Sequence, residues 1–266
     1  MKKMLFIFSF IVLSQNLFAL GKFEVKKHIE VFQYIAEQNY KSSETLIVYD
    51  IDNTLLKTSN EFGSDQWFNW QSKQVEASSS NALAKSFNEL IEVQNQVFTL
   101  GKTQLVENEI IGILDYFKKN KISMIALTSR SPSMRDVTFR ELARHQISFD
   151  STKIGLDLFP EFIISNPNQN ALYQAGVFMT SGMNKGEMIK YLLAKFNSKF
   201  ANIIFIDDHE RHTNRVYEAL APMGINIDTF RYGHEDENVQ TFNLSDKVLS
   251  IKLGQEFITL KNQMLN

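Results

Sequence analysis

Three short apolar runs constrain what this chain can fold into: Leu46-Ile47-Val48-Tyr49, Ile122-Ser123-Met124-Ile125-Ala126-Leu127 and Asn202-Ile203-Ile204-Phe205-Ile206. Each is rich in residues that suit a strand covered on both faces. Between and around them, apolar residues recur at helical spacing. Val25, Ile29, Phe32 and Ile35 mark an amphipathic helix over 24–40. Further helices are expected over 107–119, 133–145, 185–196, 211–221 and 246–263, and further strands over 172–180 and 225–231. Strands that alternate with helices in this way predict an α/β protein built on a parallel sheet.

Each run delivers polar, reactive residues at its carboxyl end. Asp50 and Asp52 follow the first, Thr128 and Ser129 the second, and Asp207 and Asp208 the third. In a parallel sheet these ends share one edge, where open α/β sheets bind ligands. Asp50 and Asp52, two positions apart, point to one face if the strand continues through them. Burying carboxylates costs several kcal/mol unless something pairs with them. Two of them about 4 Å apart repel by roughly 4 kcal/mol at an effective dielectric near 20. Such a group needs a cation, and an all-oxygen donor set points to Mg²⁺ rather than zinc. Lys185, at the head of a predicted helix, adds positive charge. The combination suits an anionic substrate, with phosphate the obvious candidate.

At this point the chain resembles the haloacid dehalogenase superfamily of phosphatases and phosphotransferases. Asp50-Ile51-Asp52-Asn53-Thr54 is similar to its first motif, Asp-x-Asp-x-Thr, and Thr128 to its second. Lys185 in Asn184-Lys185-Gly186 fits the third, and Asp207-Asp208 the fourth. The resemblance implies a Rossmann-like sheet with helices on both faces and a small helical cap inserted after the first strand. It resembles the secreted acid-phosphatase-like members in particular. It also implies roles. Asp50 is the expected nucleophile, Asp52 the acid and then the base, and Lys185 the neutralising cation. Thr128, with Ser129 and Asn53 beside it, is expected to bind the phosphate substrate. Asp50, Asp207 and the backbone carbonyl of Asp52 are expected to hold Mg²⁺, with Asp208 behind them or acting through water. Because dehalogenase-type members lack the second acid, Asp52 favours phosphoryl transfer over dehalogenation.

Residues 57–104 differ in character from the rest, with many Gln, Asn and Ser, several aromatics and no strand pattern. They read as a mostly helical cap, inserted into a core of 20–56 and 105–266. Trp67, Phe68 and Trp70 near its start either stack on the substrate's leaving group or pack the cap onto the core. A small cap leaves the crevice open either to small phosphomonoesters, with a closing lid, or to phosphorylated macromolecules. The expected partner is a phosphorylated small molecule ahead of a macromolecule. Leu100-Gly101-Lys102-Thr103 hints at a phosphate-binding loop, but Gln96 stands where that loop needs a glycine. His209 and His212 are one residue short of the zinc-protease spacing, and they read as helix residues at the rim of the site.

The amino terminus reads as a secretory signal peptide over residues 1–19: Met1-Lys2-Lys3, an apolar stretch from Met4 to Leu13, then Leu17-Phe18-Ala19. The apolar stretch is short for a membrane span. With no cysteine in the chain, disulfides, thiol catalysis and a lipid-anchored amino terminus are excluded. The formal net charge of −2 gives no reason to expect nucleic acid as a partner. The expected protein is exported, periplasmic or secreted, and soluble, with no stable membrane anchor after cleavage. A second reading keeps the fold and the site but makes the chain a secreted interaction protein that binds a partner without turnover.

Overall fold

A computed structural model describes residues 21–156, 158–163 and 169–265. The predicted leader, residues 1–19, lies outside them. In chain order the strands are β1 (Lys22–Val25), β2 (Thr45–Tyr49), β3 (Leu56–Thr58), β4 (Thr103–Leu105), β5 (Ser123–Thr128), β6 (Leu158–Ile163), β7 (Asn170–Gln174), β8 (Val177–Met179), β9 (Asn202–Asp207) and β10 (Asn226–Tyr232). The helices are α1 (His28–Glu37), α2 (Asp65–Glu76), α3 (Phe87–Leu100), α4 (Ile110–Lys119), α5 (Arg135–Arg144), α6 (Lys185–Lys195), α7 (Glu210–Leu220), α8 (Asp236–Leu244) and α9 (Val248–Leu265).

The main sheet runs β1-β10-β9-β2-β5-β8-β7-β6. From β1 to β8 every pairing is parallel, while β7 and β6 add an antiparallel edge. Side chains alternate between two cores, as the period of a strand requires. Ile47, Tyr49, Met124, Ala126, Ile204 and Ile206 face α1, α4 and α5. Leu46, Val48, Ile125, Leu127, Ile203 and Phe205 face α6 and α7. This double cover is why the three runs are apolar throughout.

β2 lies between β9 and β5. The chain leaves β2 for β5 on one side and returns later to β9 on the other, so the carboxyl end of β2 is a topological switch point. Asp50 sits there, its N–H still donating to the Ile206 carbonyl at 2.9 Å.

Three local expectations are corrected. Residues 22–25 form the edge strand β1 ahead of helix α1, rather than the first turn of a longer helix, because Phe23 stacks on Phe230 of β10 at 4.9 Å. The insertion therefore follows the second strand of the chain. Residues 172–180 are not one strand but the end of β7 and all of β8, joined by Ala175 and Gly176 at φ 46° and 78°. Two consecutive residues in the left-handed region make the tight hairpin turn that matches strand twist. At the two ends of 57–104, β3 and β4 pair antiparallel, and α2 and α3 lie between them. Ser64 and Ser86 cap these helices by accepting the Trp67 and Glu89 amides.

Trp67 is fully buried, with Phe62, Leu90, Val93 and Phe242 in the same apolar cluster. Trp70 lies edge-on to Phe242 at 6.3 Å, and Phe68 to Phe87 at 5.9 Å. These are packing contacts, and they account for the burial of Trp67. They join the insertion to α8 and α9 at the carboxyl terminus, where Phe257 and Ile258 complete the cluster.

Candidate active site

Asp50 and Asp207 continue the parity of Leu46/Val48 and Ile203/Phe205, so both carboxylates emerge on the α6–α7 face of the sheet. There α6 begins, its first turn capped by Asn184 Oδ1 accepting from the Gly186 and Glu187 amides. Lys185 Nζ lies 2.5 Å from Asp50 Oδ1 and 2.6 Å from Asp207 Oδ2. All three side chains are essentially inaccessible to solvent. A buried ammonium between two carboxylates is tolerable only because each charge has a partner.

The charges are unevenly shared. Burial pushes the Asp50 carboxyl up to about 7; Asp207 and Asp52 add to the rise and the Lys185 ammonium opposes it. Burial acts on Asp207 in the same direction, but Lys185 and His212 outweigh it and hold that carboxyl far below the usual range. Burial disfavours the charged Lys185, yet Asp207 and Asp50 keep its pKa above an ordinary lysine's. Asp207 is also the better hydrogen-bonded of the two carboxylates. Its Oδ1 accepts from the His209 amide at 2.8 Å, and His212 Nδ1 stands 3.2 Å from both oxygens.

Asp208 completes the acidic group. One oxygen from each of Asp50, Asp207 and Asp208 lies within 4.8 Å of the others. Asp208 Oδ1 is buried without a hydrogen-bond partner among the described residues, and burial raises its pKa well above a carboxylate's usual value. An orphaned buried oxygen on a carboxylate grouped with two others fits a hard divalent cation. Asp208 also belongs to a second group with Asp65 and His209. Asp65 lies in the first turn of α2, so the insertion reaches the edge of this site.

Thr128 comes from the neighbouring strand. Its hydroxyl oxygen accepts the Arg130 amide at 3.1 Å, which leaves the hydroxyl proton free to donate. Ser129 is exposed at the same edge. Asn53 is buried at φ 55°, a conformation asparagine tolerates, and its side-chain nitrogen is 3.5 Å from Gln66 Oε1 of α2.

Asp52 departs from the geometry expected of it. β2 ends at Tyr49, so strand periodicity no longer directs Asp52 toward Asp50. Its carboxylate instead meets Arg130 in a two-pronged pair, Nε to Oδ2 at 2.9 Å and Nη2 to Oδ1 at 2.7 Å. The side chain of Asp52 is not one of the grouped acidic oxygens. Sequence reasoning missed Arg130 and Asp65, and it left His212 as an ordinary helix residue. Arg130 had a signal, since it stands two residues after Thr128 on the same strand exit. Asp65 had none, because only tertiary packing brings α2 to the site.

The chain shares detectable similarity with chlamydial proteins. A Chlamydia pneumoniae protein named "Putative outer membrane protein" is 22% identical over 236 residues, covering 85% of this chain and 86% of that one. A Chlamydia trachomatis protein of the same name is 20% identical over 209 residues, covering 76% of each. Among solved structures, a haloacid dehalogenase-like family hydrolase from Streptococcus pneumoniae superposes with a TM-score of 0.40 at 13% identity, covering 75% of this chain and 98% of that one. Among the described residues, no helix is long and apolar enough to cross a membrane. The model of a family described as a protein of unknown function, DUF2608, matches residues 24–264, and the chain belongs to that family.

Proposed function

We propose that this chain is an exported, Mg²⁺-dependent phosphomonoester hydrolase that works through an aspartyl-phosphate on Asp50. The observation that supports the reading best is the convergence at one switch point of Asp50, Lys185 and Asp207, at 2.5 and 2.6 Å, with Thr128 on the adjoining strand. The leader pattern and the outer-membrane names of the chlamydial relatives agree with export.

In this reading Asp50 attacks phosphorus in line and the ester oxygen departs. Asp52 gives that oxygen its proton, then takes one from the water that attacks the aspartyl-phosphate. The Thr128 hydroxyl donates to a phosphate oxygen, and Lys185 offsets charge that builds there. Asp207, fixed by His212 and the His209 amide, holds Lys185 in place. Asp50, Asp207 and Asp208, with the Asp52 carbonyl, are the groups that would hold Mg²⁺. When bound, the ion lets an anionic nucleophile approach an anionic ester.

The test is hydrolysis of 4-nitrophenyl phosphate by the purified chain, with and without Mg²⁺. Activity lost on chelation, restored by Mg²⁺ and reduced at least about 1,000-fold in Asp50→Asn supports the reading. Full activity in Asp50→Asn sinks it, as does tight partner binding with no turnover across a panel of phosphorylated metabolites.

A further inference from the structure

Arg130 turns two of its three nitrogens to one carboxylate. Nε and Nη2 grip both oxygens of Asp52, while Nη1 donates to Thr138 Oγ1 of α5 at 2.9 Å. The guanidinium lies 4.5 Å from the ring centre of Phe98, in the last turn of α3. Phe98 is itself buried against Met134 and Val137. Its carbonyl and those of Thr99 and Gly101 accept from Arg140. The insertion thus ends in a turn held by Arg140, and its aromatic ring backs Arg130.

Stability alone does not call for this arrangement. The Asp52 side chain is 26% exposed and would be solvated without a partner, whereas the Arg130 side chain is 4% exposed and costly to bury. What the fork provides is orientation, because two parallel N–H···O bonds fix the plane of a carboxylate as one bond cannot. We propose that Arg130 is the positioning residue for Asp52, setting the carboxylate at the angle proton transfer requires, and that Phe98 of the insertion sets Arg130 in turn. The insertion then acts on the chemistry through a side chain that never touches substrate. This rests on the phosphatase reading of the site.

The experiment compares an aryl ester, 4-nitrophenyl phosphate, with a simple alkyl phosphate, using the full chain with Mg²⁺. An alkyl alcohol needs protonation to leave and nitrophenolate does not, while both reactions need a base to hydrolyse the aspartyl-phosphate. Arg130→Gln is expected to cut kcat on the alkyl ester about 100-fold. On the aryl ester it is expected to give a burst of about one nitrophenolate per site before slow turnover. Arg130→Lys does not rescue, because an ammonium cannot form the fork. Phe98→Leu and Thr138→Val keep the ion pair and are expected to show the same pattern at about 10-fold. They carry the test if Arg130→Gln melts at assay temperature. Equal losses on both esters with no burst, or wild-type kinetics in all variants, overturn the proposal while leaving an active phosphatase. A wild-type chain inert toward both esters, with and without Mg²⁺, overturns the proposal and the phosphatase reading together.

Discussion

His209 Nε2 lies 3.1 Å from Asp65 Oδ2, which ties the first turn of α2 to the residue that follows Asp207 and Asp208. The insertion therefore touches the core at the site itself as well as at its base. Asp65 raises the His209 pKa to about 10; burial opposes the rise, and Asp208 and Asp207 add to it. The folded value lies above the unfolded one, so the stabilisation is complete below about pH 6.5 and is lost as pH rises through about 10. His209 is two-fifths exposed, so solvent screening limits the coupling to about 0.5–1 kcal/mol. A double-mutant cycle of Asp65→Asn and His209→Gln, read by urea unfolding at pH 6 and pH 10.5, should show that coupling at the lower pH and little at the higher. Zero coupling at pH 6 would mean the two side chains do not pair.

Lys185 should be as much a folding residue as a functional one. Removing a buried partner leaves its counter-charges exposed to each other, at about 3–5 kcal/mol. Lys185→Met is expected to lower the melting temperature sharply in chelator, because Asp50 and Asp207 then face one another with no cation between them. Added Mg²⁺ should recover part of the loss in the variant and change the wild type less. A variant as stable as wild type in chelator would show that the ion pairs at 2.5 and 2.6 Å contribute little.

Much of this site was legible because strand ends carry it. The runs before Asp50, Thr128 and Asp207 are apolar on both parities, which announces a doubly covered sheet and places their ends on one edge. Lys185 was legible from its place at a helix start. What escaped depends on contacts that leave no periodic trace. Asp52 leaves strand geometry after Tyr49 and turns to Arg130, a change that i, i+2 counting cannot register. The strand pair β3–β4 is three residues on each side, too short for a pattern. The role of Trp67 was open because an aromatic near a motif fits substrate stacking and core packing equally well in one dimension. Three dimensions decide for packing against Phe62 at 4.9 Å.

Gly186 links helix packing to the same site. A Cβ built there would lie 2.5 Å from the Arg215 carbonyl oxygen and 2.7 Å from the Ala219 Cβ, so α6 and α7 approach as closely as a missing side chain allows. Neither obstacle is a flexible side-chain end. Gly186→Ala is expected to push α6 from α7, destabilising the fold by about 1–3 kcal/mol despite alanine's better helix propensity. Lys185 is the adjacent residue, so its contacts with Asp50 and Asp207 should loosen and turnover should fall beyond what the stability loss explains. Chemical denaturation and kcat on one protein preparation check both, and a stabilised variant would refute the close approach.

His28 offers the acid-side counterpart to His209. Its Nε2 donates to the Thr54 carbonyl at 3.0 Å, directly after the Asp52-Asn53 turn, and its ring stacks on Tyr232 at 4.2 Å. Nδ1 is buried and has no hydrogen-bond partner among the described residues. Burial lowers the pKa to about 4, with the Thr54 bond and Glu107 working in the opposite direction. The neutral ring is therefore the form that folds. Above about pH 6.5 it is neutral folded or unfolded and adds no pH dependence. Between about 6.5 and about 4 the unfolded chain binds the proton first, so stability falls by on the order of 3 kcal/mol as pH drops through that window. Urea unfolding from pH 7 to pH 4 should show this slope in the wild type and a flatter one in His28→Gln, which lacks the titrating ring. The variant should start lower at pH 7, having lost the stacking on Tyr232, and the two curves should converge toward pH 4. Parallel curves would assign the acid sensitivity to the carboxylates alone.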